Sequence, residues 1–197
     1  MKIELKGMKQ AIKSLQKIDK TTANAAYRAI NKVAAKTRTK ASKAIRAEVK
    51  LTATYLNSPD RFVLIPATKD KLNATIKARV RPTRLATYGA KQLTKKAGPR
   101  SQGDTVRGIA AGRKSAGVSV NVGKQRKKMP GAFLIPLSNG NGMGVFIRTG
   151  TGKKDIKQLY GPSISQIFKT LMPKITQGID AELAEAFKKQ FAYEQSR

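Results

Sequence analysis

The chain has 197 residues, of which 41 are Lys or Arg and 11 are Asp or Glu, so its formal net charge at pH 7 is +30. A chain of this length can bury a core, and such a charge is tolerated best beside an anionic partner: nucleic acid, an acidic protein or an anionic membrane. Because Cys and His are absent, disulfides, thiolate chemistry, His acid–base catalysis and nearly every zinc or transition-metal site are excluded.

Two helices are predicted in the N-terminal quarter, residues 1–50. The first runs from Met8 to Ile18, where apolar residues recur every three or four positions, and the second begins near Thr22 as N-cap and ends near Val49. The second helix has an apolar face of mostly small residues, which suits close packing against a sheet or another helix. This face consists of Ala26, Ile30, Val33, Thr37, Ala41, Ala44 and Ile45.

The opposite side of the second helix is basic at regular intervals. Its cations follow one another at spacings of three or four residues, and like charges at this spacing oppose helix formation by about a few tenths of a kcal/mol per pair. Two interpretations stay open, a solvated face or a row that faces phosphates or an acidic subunit. The basic stripe comprises Arg28, Lys32, Lys36, Lys40 and Lys43.

From about Leu51 the apolar residues alternate with polar ones, which is typical of strands with one buried face. We expect these strands to form an antiparallel sheet covered by the long N-terminal helix. The predicted strands are Phe62–Ile65, residues 71–81, 118–122, 133–137 and 145–147.

Residues 84–128 are rich in Gly, Lys, Arg and Ser, and Asp104 is their only acid. Loops of this length in a compact domain are usually functional or disordered. The segment is therefore interpreted either as an arm or hairpin that becomes ordered on assembly, or as a disordered surface loop. Its candidate contacts to DNA or an acidic partner are Arg100, Arg107, Arg113, Lys114, Lys124, Arg126, Lys127 and Lys128.

The C-terminal residues 162–195 are predicted to be helical. A short helix follows Pro162, Pro173 marks a break or a new first turn, and apolar residues then continue at i,i+4 from Ile175 to Phe191. Such a stripe is typical of a core or a subunit interface. The predicted fold class is therefore α+β, a single domain over 1–197 with a long N-terminal helix packed on an antiparallel β-sheet, a long basic loop or arm and C-terminal helices.

No catalytic, cofactor or metal site is predicted. The acids stand apart from one another, and the closest group, Asp180, Glu182 and Glu185, is interpreted as a solvated helix face. The segment Gly150–Lys154 lacks the spacing of a phosphate-binding loop, so its glycines are expected to form a tight bend after Arg148. A hydrolase or nuclease would need a general base that the sequence does not offer.

Several segments resemble one known family when they are taken in order. They are Ala29–Ala34 (AINKVA), Pro130–Leu134 (PGAFL), Val145–Arg148 (VFIR) and Leu159–Gln166 (LYGPSISQ). In this order the chain resembles the minor tail protein Z family of long-tailed phages over nearly its whole length, most strongly from Pro130 to Gln166. The motif residues given structural roles are Gly131, Phe133, Arg148, Tyr160, Gly161, Pro162 and Ser163. Gly131 is expected to turn the chain into the strand of Phe133, and Gly161-Pro162 to place Ser163 where a helix begins.

The resemblance implies a structural virion protein, made in the host cytoplasm, that acts at the head-proximal end of the tail. Family members are thought to complete the tail after its length is fixed and to make it competent to join the DNA-filled head. The implied partners are further copies in a ring, expected to be a hexamer, the tail terminator and tail tube proteins, head-completion or connector proteins, and packaged DNA through its phosphates. No membrane partner is expected.

An alternative function is sequence-independent nucleic-acid binding, which is supported by the charge alone. The five Tyr residues are scattered along the sequence, so they offer no stacking platform of the kind used by single-strand binders. Any contact with DNA is therefore expected to be to phosphates.

Overall fold

The computed structural model describes residues 2–4, 20–123, 125–138, 142–152 and 154–196. The chain divides into two compact units. Unit 1 comprises residues 1–45, 53–80 and 164–197, and unit 2 comprises residues 46–52 and 81–163.

Unit 1 combines helices with a three-stranded antiparallel sheet of order β1–β3–β2. Its strands are β1 (Lys2–Glu4), β2 (Phe62–Ile65) and β3 (Thr75–Ala78). Its helices are α1 (Lys20–Glu48, of which the last three residues belong to unit 2), α2 (Ala53–Leu56), α3 (Ile164–Thr176) and α4 (Ile179–Gln195).

The core of unit 1 forms where the small-residue face of α1 meets α4 and the residues that flank β2 and β3. Ile30 and Val33 of α1 are buried against Ile179 and Leu183 of α4. A polar contact fixes the same region, since the Asn31 amide donates to the carbonyl of Ala67 at 2.9 Å and accepts from its N–H at 2.7 Å. The predicted packing of the long helix on an antiparallel sheet is confirmed for the strands β2 and β3. The strands predicted over 118–122, 133–137 and 145–147 do not join this sheet but belong to separate antiparallel sheets of unit 2.

Unit 2 contains antiparallel strands and short turns. Two three-stranded sheets have the orders β5–β6–β7 and β10–β9–β8, and a two-stranded sheet pairs β11 with β4. The strands are β4 (Thr83–Arg84), β5 (Lys91–Lys96), β6 (Arg113–Val120), β7 (Lys127–Met129), β8 (Ala132–Pro136), β9 (Met143–Arg148), β10 (Ile156–Gln158) and β11 (Tyr160–Gly161). The 3-10 turns are Leu85–Thr87 and Thr105–Arg107.

The α+β class is confirmed, and most predicted elements lie within a few residues of their observed bounds. The strand expected over 71–81 is shorter, because the Lys71 carbonyl accepts from Thr68 and Asn73 in a turn and the ladder begins only at Thr75. The predicted helix Met8–Ile18 lies outside the described residues. A single tail-completion domain over 1–197 stays a prediction.

Within residues 84–128 the structure contains a hairpin, in keeping with the first of the two interpretations. Strands β5 and β6 pair antiparallel with a bulge after Leu93, and β7 extends the sheet. Val118 and Val120 supply the buried side chains that this stretch needs to fold. Gly117 has a φ of +108° and approaches Met129 so closely that a Cβ would lie 2.4 Å from its carbonyl oxygen. Whether the order depends on assembly stays a prediction.

Pro173 does not break the C-terminal helix where the sequence suggested. Helix α3 continues three residues beyond it, and the break falls at Gly178, whose φ is +80°. The N–H that Pro173 lacks would have donated to the carbonyl of Lys169, an exposed residue whose carbonyl water can satisfy. The left-handed conformation at Gly178 ends a helix at low cost only for glycine.

Candidate functional site

The structure divides the basic stripe of α1 into a paired part and an unpaired part. Arg28 forms an ion pair with Glu194 of α4 and lies 5.9 Å from the centre of the Tyr193 ring. Lys36 forms a second ion pair with Glu182 at 3.0 Å. The acids of α4 therefore neutralise two of the five cations within unit 1 itself.

The electrostatics around Lys32 follow the same pattern. Lys32 is exposed and lines a small groove with Lys36, Glu182 and Glu185. The pKa of Glu185 lies below its ordinary value, first because Lys189 donates a hydrogen bond to it, and further because Lys36 and Lys32 are near. The cations at this end of the stripe therefore lie next to acids of the same chain.

Lys40 and Lys43 form the part of the stripe that stays available. Both are exposed, and neither forms an ion pair with another residue that the structure describes. They line a groove of about 480 Å³ whose apolar surface comes from Ile175 and Ile179. Lys36 and Glu182 also line this groove, and of the five cations of the stripe Lys40 and Lys43 are the most available to an anion outside the chain.

In unit 2 the cations concentrate on the hairpin of β5 and β6. Lys95 lies directly opposite Lys114 and Lys96 directly opposite Arg113 in the strand register. Like charges in such cross-strand positions destabilise a sheet. Arg113 is held by a 2.7 Å hydrogen bond from its Nε to the Thr94 hydroxyl.

Of the other candidate contacts in residues 84–128, two have partners inside unit 2. Arg107 forms an ion pair with Asp104 at 3.1 Å. Arg126 donates to the carbonyls of Ser119 at 3.0 Å and Gly89 at 2.9 Å, so it links neighbouring segments. The remaining ones are Arg100, Lys127 and Lys128, which are exposed, and Lys124, which lies outside the described residues.

A cleft of about 430 Å³ in unit 2 brings together residues that are distant in sequence. The Arg148 guanidinium lies 5.9 Å from the centre of the Phe133 ring and donates to the carbonyl of Gly152 at 3.2 Å. Arg107 and Lys95 contribute two further cations to the lining. Lys95 was not among the contact residues predicted from the sequence. A predicted register for the β5–β6 hairpin would have placed it opposite Lys114 and so identified it as a candidate. The lining comprises Lys95, Arg107, Ser115, Ala116, Gly117, Pro130, Gly131, Ala132, Phe133 and Arg148.

The remaining motif residues lie in and beside the two-stranded sheet of β4 and β11. The Tyr88 hydroxyl donates to the carbonyl of Pro162 at 2.6 Å, and the ring covers Gly161. Tyr160 is exposed and its hydroxyl contacts the Gln158 side chain at 3.0 Å. Ser163 is buried and directly precedes the first residue of α3.

Two expected turns have the geometry that their glycines allow. Gly131 has a φ of +89° at the entry to β8, a conformation that other residues rarely adopt. After Arg148, the Gly152 N–H donates to the Asp155 carboxylate at 2.9 Å, and a Cβ on Gly150 would lie 2.5 Å from the same carboxylate. The Asp155 carboxylate therefore stabilises the bend.

Among the described residues, no three Cys, His, Asp or Glu side chains come together in a way that could hold a metal ion. No helix in the described ranges is both long and apolar enough to cross a membrane.

Comparison with known proteins gives one family. The model of the prophage minor tail protein Z family matches residues 5–196, nearly the whole chain. No curated protein and no solved structure gives a significant match.

Proposed function

The chain belongs to the prophage minor tail protein Z family, and we propose that it forms a tail-completion ring at the head-proximal end of the tail. The family is one of structural phage tail proteins, so the chain is a virion component that contacts other parts of the tail. In the proposed role the ring joins the tail to the head and lets DNA pass.

The observation that carries the proposal is a positive charge that the fold leaves largely unneutralised. Among the residues that the structure describes, six acids already form ion pairs or hydrogen bonds inside the chain. They are Asp60, Asp104, Asp155, Glu182, Glu185 and Glu194. Unit 2 alone has nineteen Lys and Arg against three acids. Anionic neighbours outside the chain would reduce the repulsion among these surplus cations.

Further copies of the same chain cannot supply that neutralisation, because each copy adds another +30. A closed ring is therefore expected only where acidic tail or head-completion proteins, or the phosphates of DNA, surround it. The head-proximal end of a tail offers both kinds of anion. A hexamer would match a sixfold tail tube.

The proposed role is one of binding, without catalysis. Five of the acids that an enzyme could use as general bases are held in ion pairs, among them Glu194 with Arg28 and Asp104 with Arg107.

The experiment that tests the role uses a phage in which the gene carries a nonsense mutation. In a non-suppressing host we expect tails of normal length and filled heads that stay separate, and infectious particles should form when the purified protein is added to the lysate. Tails of abnormal length, or infectious particles without the protein, would contradict the proposal.

Sequence-independent nucleic-acid binding is a second candidate, favoured by the unpaired Lys40 and Lys43. The logarithm of the DNA affinity falls linearly with the logarithm of the salt concentration. Each phosphate that the protein no longer neutralises should make this slope shallower by about 0.9 for duplex DNA. We expect Lys40→Gln and Lys43→Gln each to make the slope shallower. Lys36→Gln, which removes a cation already paired with Glu182, serves as the matched control. Equal slopes for all three variants would exclude the stripe as a DNA-binding surface.

A further inference from the structure

We propose that the cleft lined by Lys95, Arg107 and Arg148 binds carboxylate side chains from an acidic segment of another tail protein. The inference rests on the proposed function, since it names the partner chemistry of one surface of a tail protein. The cleft lies entirely within unit 2.

Three cations reach the cleft from three separate elements. Lys95 lies on β5, Arg107 in the 3-10 turn and Arg148 at the end of β9. Of these three cations, only Arg107 has a carboxylate partner among the described residues, namely Asp104. Lys95 also lies opposite Lys114, so an anion entering the cleft would relieve a like-charge repulsion.

Arg148 is oriented before any ligand arrives. Its guanidinium lies near the Phe133 ring, and its NH1 donates to the Gly152 carbonyl. A planar guanidinium held in this way can bind a carboxylate through two parallel hydrogen bonds, and little side-chain freedom is lost on binding.

The shape and lining of the cleft favour a peptide over DNA. Beside the cations, Ala116, Pro130, Ala132 and Phe133 form an apolar surface. A concave site of about 430 Å³ admits a few side chains that carry carboxylates and apolar groups together. Duplex DNA presents its phosphates on a convex backbone with no apolar side chains to cover this surface.

The occupant is a different chain rather than a second copy. Of the acids on α4, which is the most acidic helix, Glu182, Glu185 and Glu194 are each already paired with a cation of their own chain. A second copy would also bring its own +30. An acidic partner carries the carboxylates without that surplus.

The test measures binding of the full-length protein to a short fluorescent poly-glutamate peptide and, separately, to a short DNA duplex. Arg148→Gln and Lys95→Gln should each weaken peptide binding about tenfold, the effect of removing one charge-assisted hydrogen bond. Lys91→Gln is the matched control, because it removes the same charge from an exposed position on the same strand outside the cleft. It should change peptide affinity by less than about twofold, since a charge outside the cleft acts on the peptide only through longer-range attraction that salt screens.

Three further outcomes make the test decisive. All three variants should weaken DNA binding equally if DNA senses only the overall charge. If Lys91→Gln weakens peptide binding as much as Lys95→Gln does, the cleft is not the site. If the cleft variants weaken DNA binding selectively, a phosphate is the occupant and the proposal is overturned.

Arg148→Lys separates geometry from charge, because it keeps the charge and removes the planar donor pair. We expect it to bind the peptide nearly as weakly as Arg148→Gln, with an unchanged thermal midpoint. Full peptide affinity in Arg148→Lys would contradict the proposed geometry. Cleft variants that bind the peptide normally but fail to complement the mutant phage would overturn the cleft proposal and leave the tail-completion role standing.

Discussion

Replacing Gly161 with Ala tests the packing at the centre of the Leu-Tyr-Gly-Pro-Ser motif. A Cβ at this position would lie 2.5 Å from Cε2 of Tyr88, whereas non-bonded carbons prefer about 3.5–4.0 Å. The ring cannot easily retreat, because Tyr88 is fully buried and its hydroxyl is bonded to the Pro162 carbonyl at 2.6 Å. We expect the free energy of unfolding to fall by about 1–3 kcal/mol, the usual cost of overpacking a core.

The assay is urea unfolding followed by far-UV circular dichroism, with Gly123→Ala as the matched control. A Cβ at Gly123 meets no atom within 4 Å, so the control should be neutral or more stable by about 0.4–1 kcal/mol through the unfolded state. Adding Tyr88→Leu should remove part of the cost of Gly161→Ala, with a coupling energy of about 0.5–3 kcal/mol. Equal stability of Gly161→Ala and Gly123→Ala would show that the Tyr88 ring does not restrict the space beside Gly161.

Three further changes address unit 1. Phe168→Ala should lower the free energy of unfolding by about 3–5 kcal/mol in urea, since the ring is fully buried and leaves a cavity, and a decrease below about 1 kcal/mol would contradict this packing. Asn31→Ala should cost about 1–3 kcal/mol by the same measurement, because it leaves a backbone N–H and a carbonyl without partners, and an unchanged stability would show that water replaces them. Lys189→Gln should raise the pKa of Glu185 towards its ordinary value in an NMR carboxyl titration, and an unchanged pKa would exclude this pair as the cause. Because the folded-state pKa of Glu185 is lowered, its contribution to stability is present above the unfolded pKa and is lost as the pH falls through the folded value.

Local periodicity in the sequence predicted the elements that depend on local pattern. Helix α1 ends within one residue of its predicted end at Val49, because its apolar residues recur at helical spacing over many turns. Strand β2 matches its predicted range, Phe62–Ile65, since Pro66 cannot continue a ladder as a donor.

Contacts between distant residues could not be predicted from the sequence. The stripe of α1 has the same pattern whether or not acids cover it, and the partner of Arg28 lies on a helix 166 residues further along the chain. The cleft likewise depends on two different sheets, one with Lys95 and the other with Arg148, which together line it in the folded chain. Neither of these long-range arrangements leaves a periodic signal in the sequence, so both can be identified only from the structure.

Cryo-electron microscopy of the head–tail junction of the virion would show whether this chain forms a ring there. We predict a closed ring of this chain at the head-proximal end of the tail, with Lys40 and Lys43 against DNA or acidic neighbours and the cleft of Arg148 against an acidic neighbour. A virion whose junction contains no density for this chain would exclude such a ring and leave a free nucleic-acid-binding protein as the better explanation of its charge.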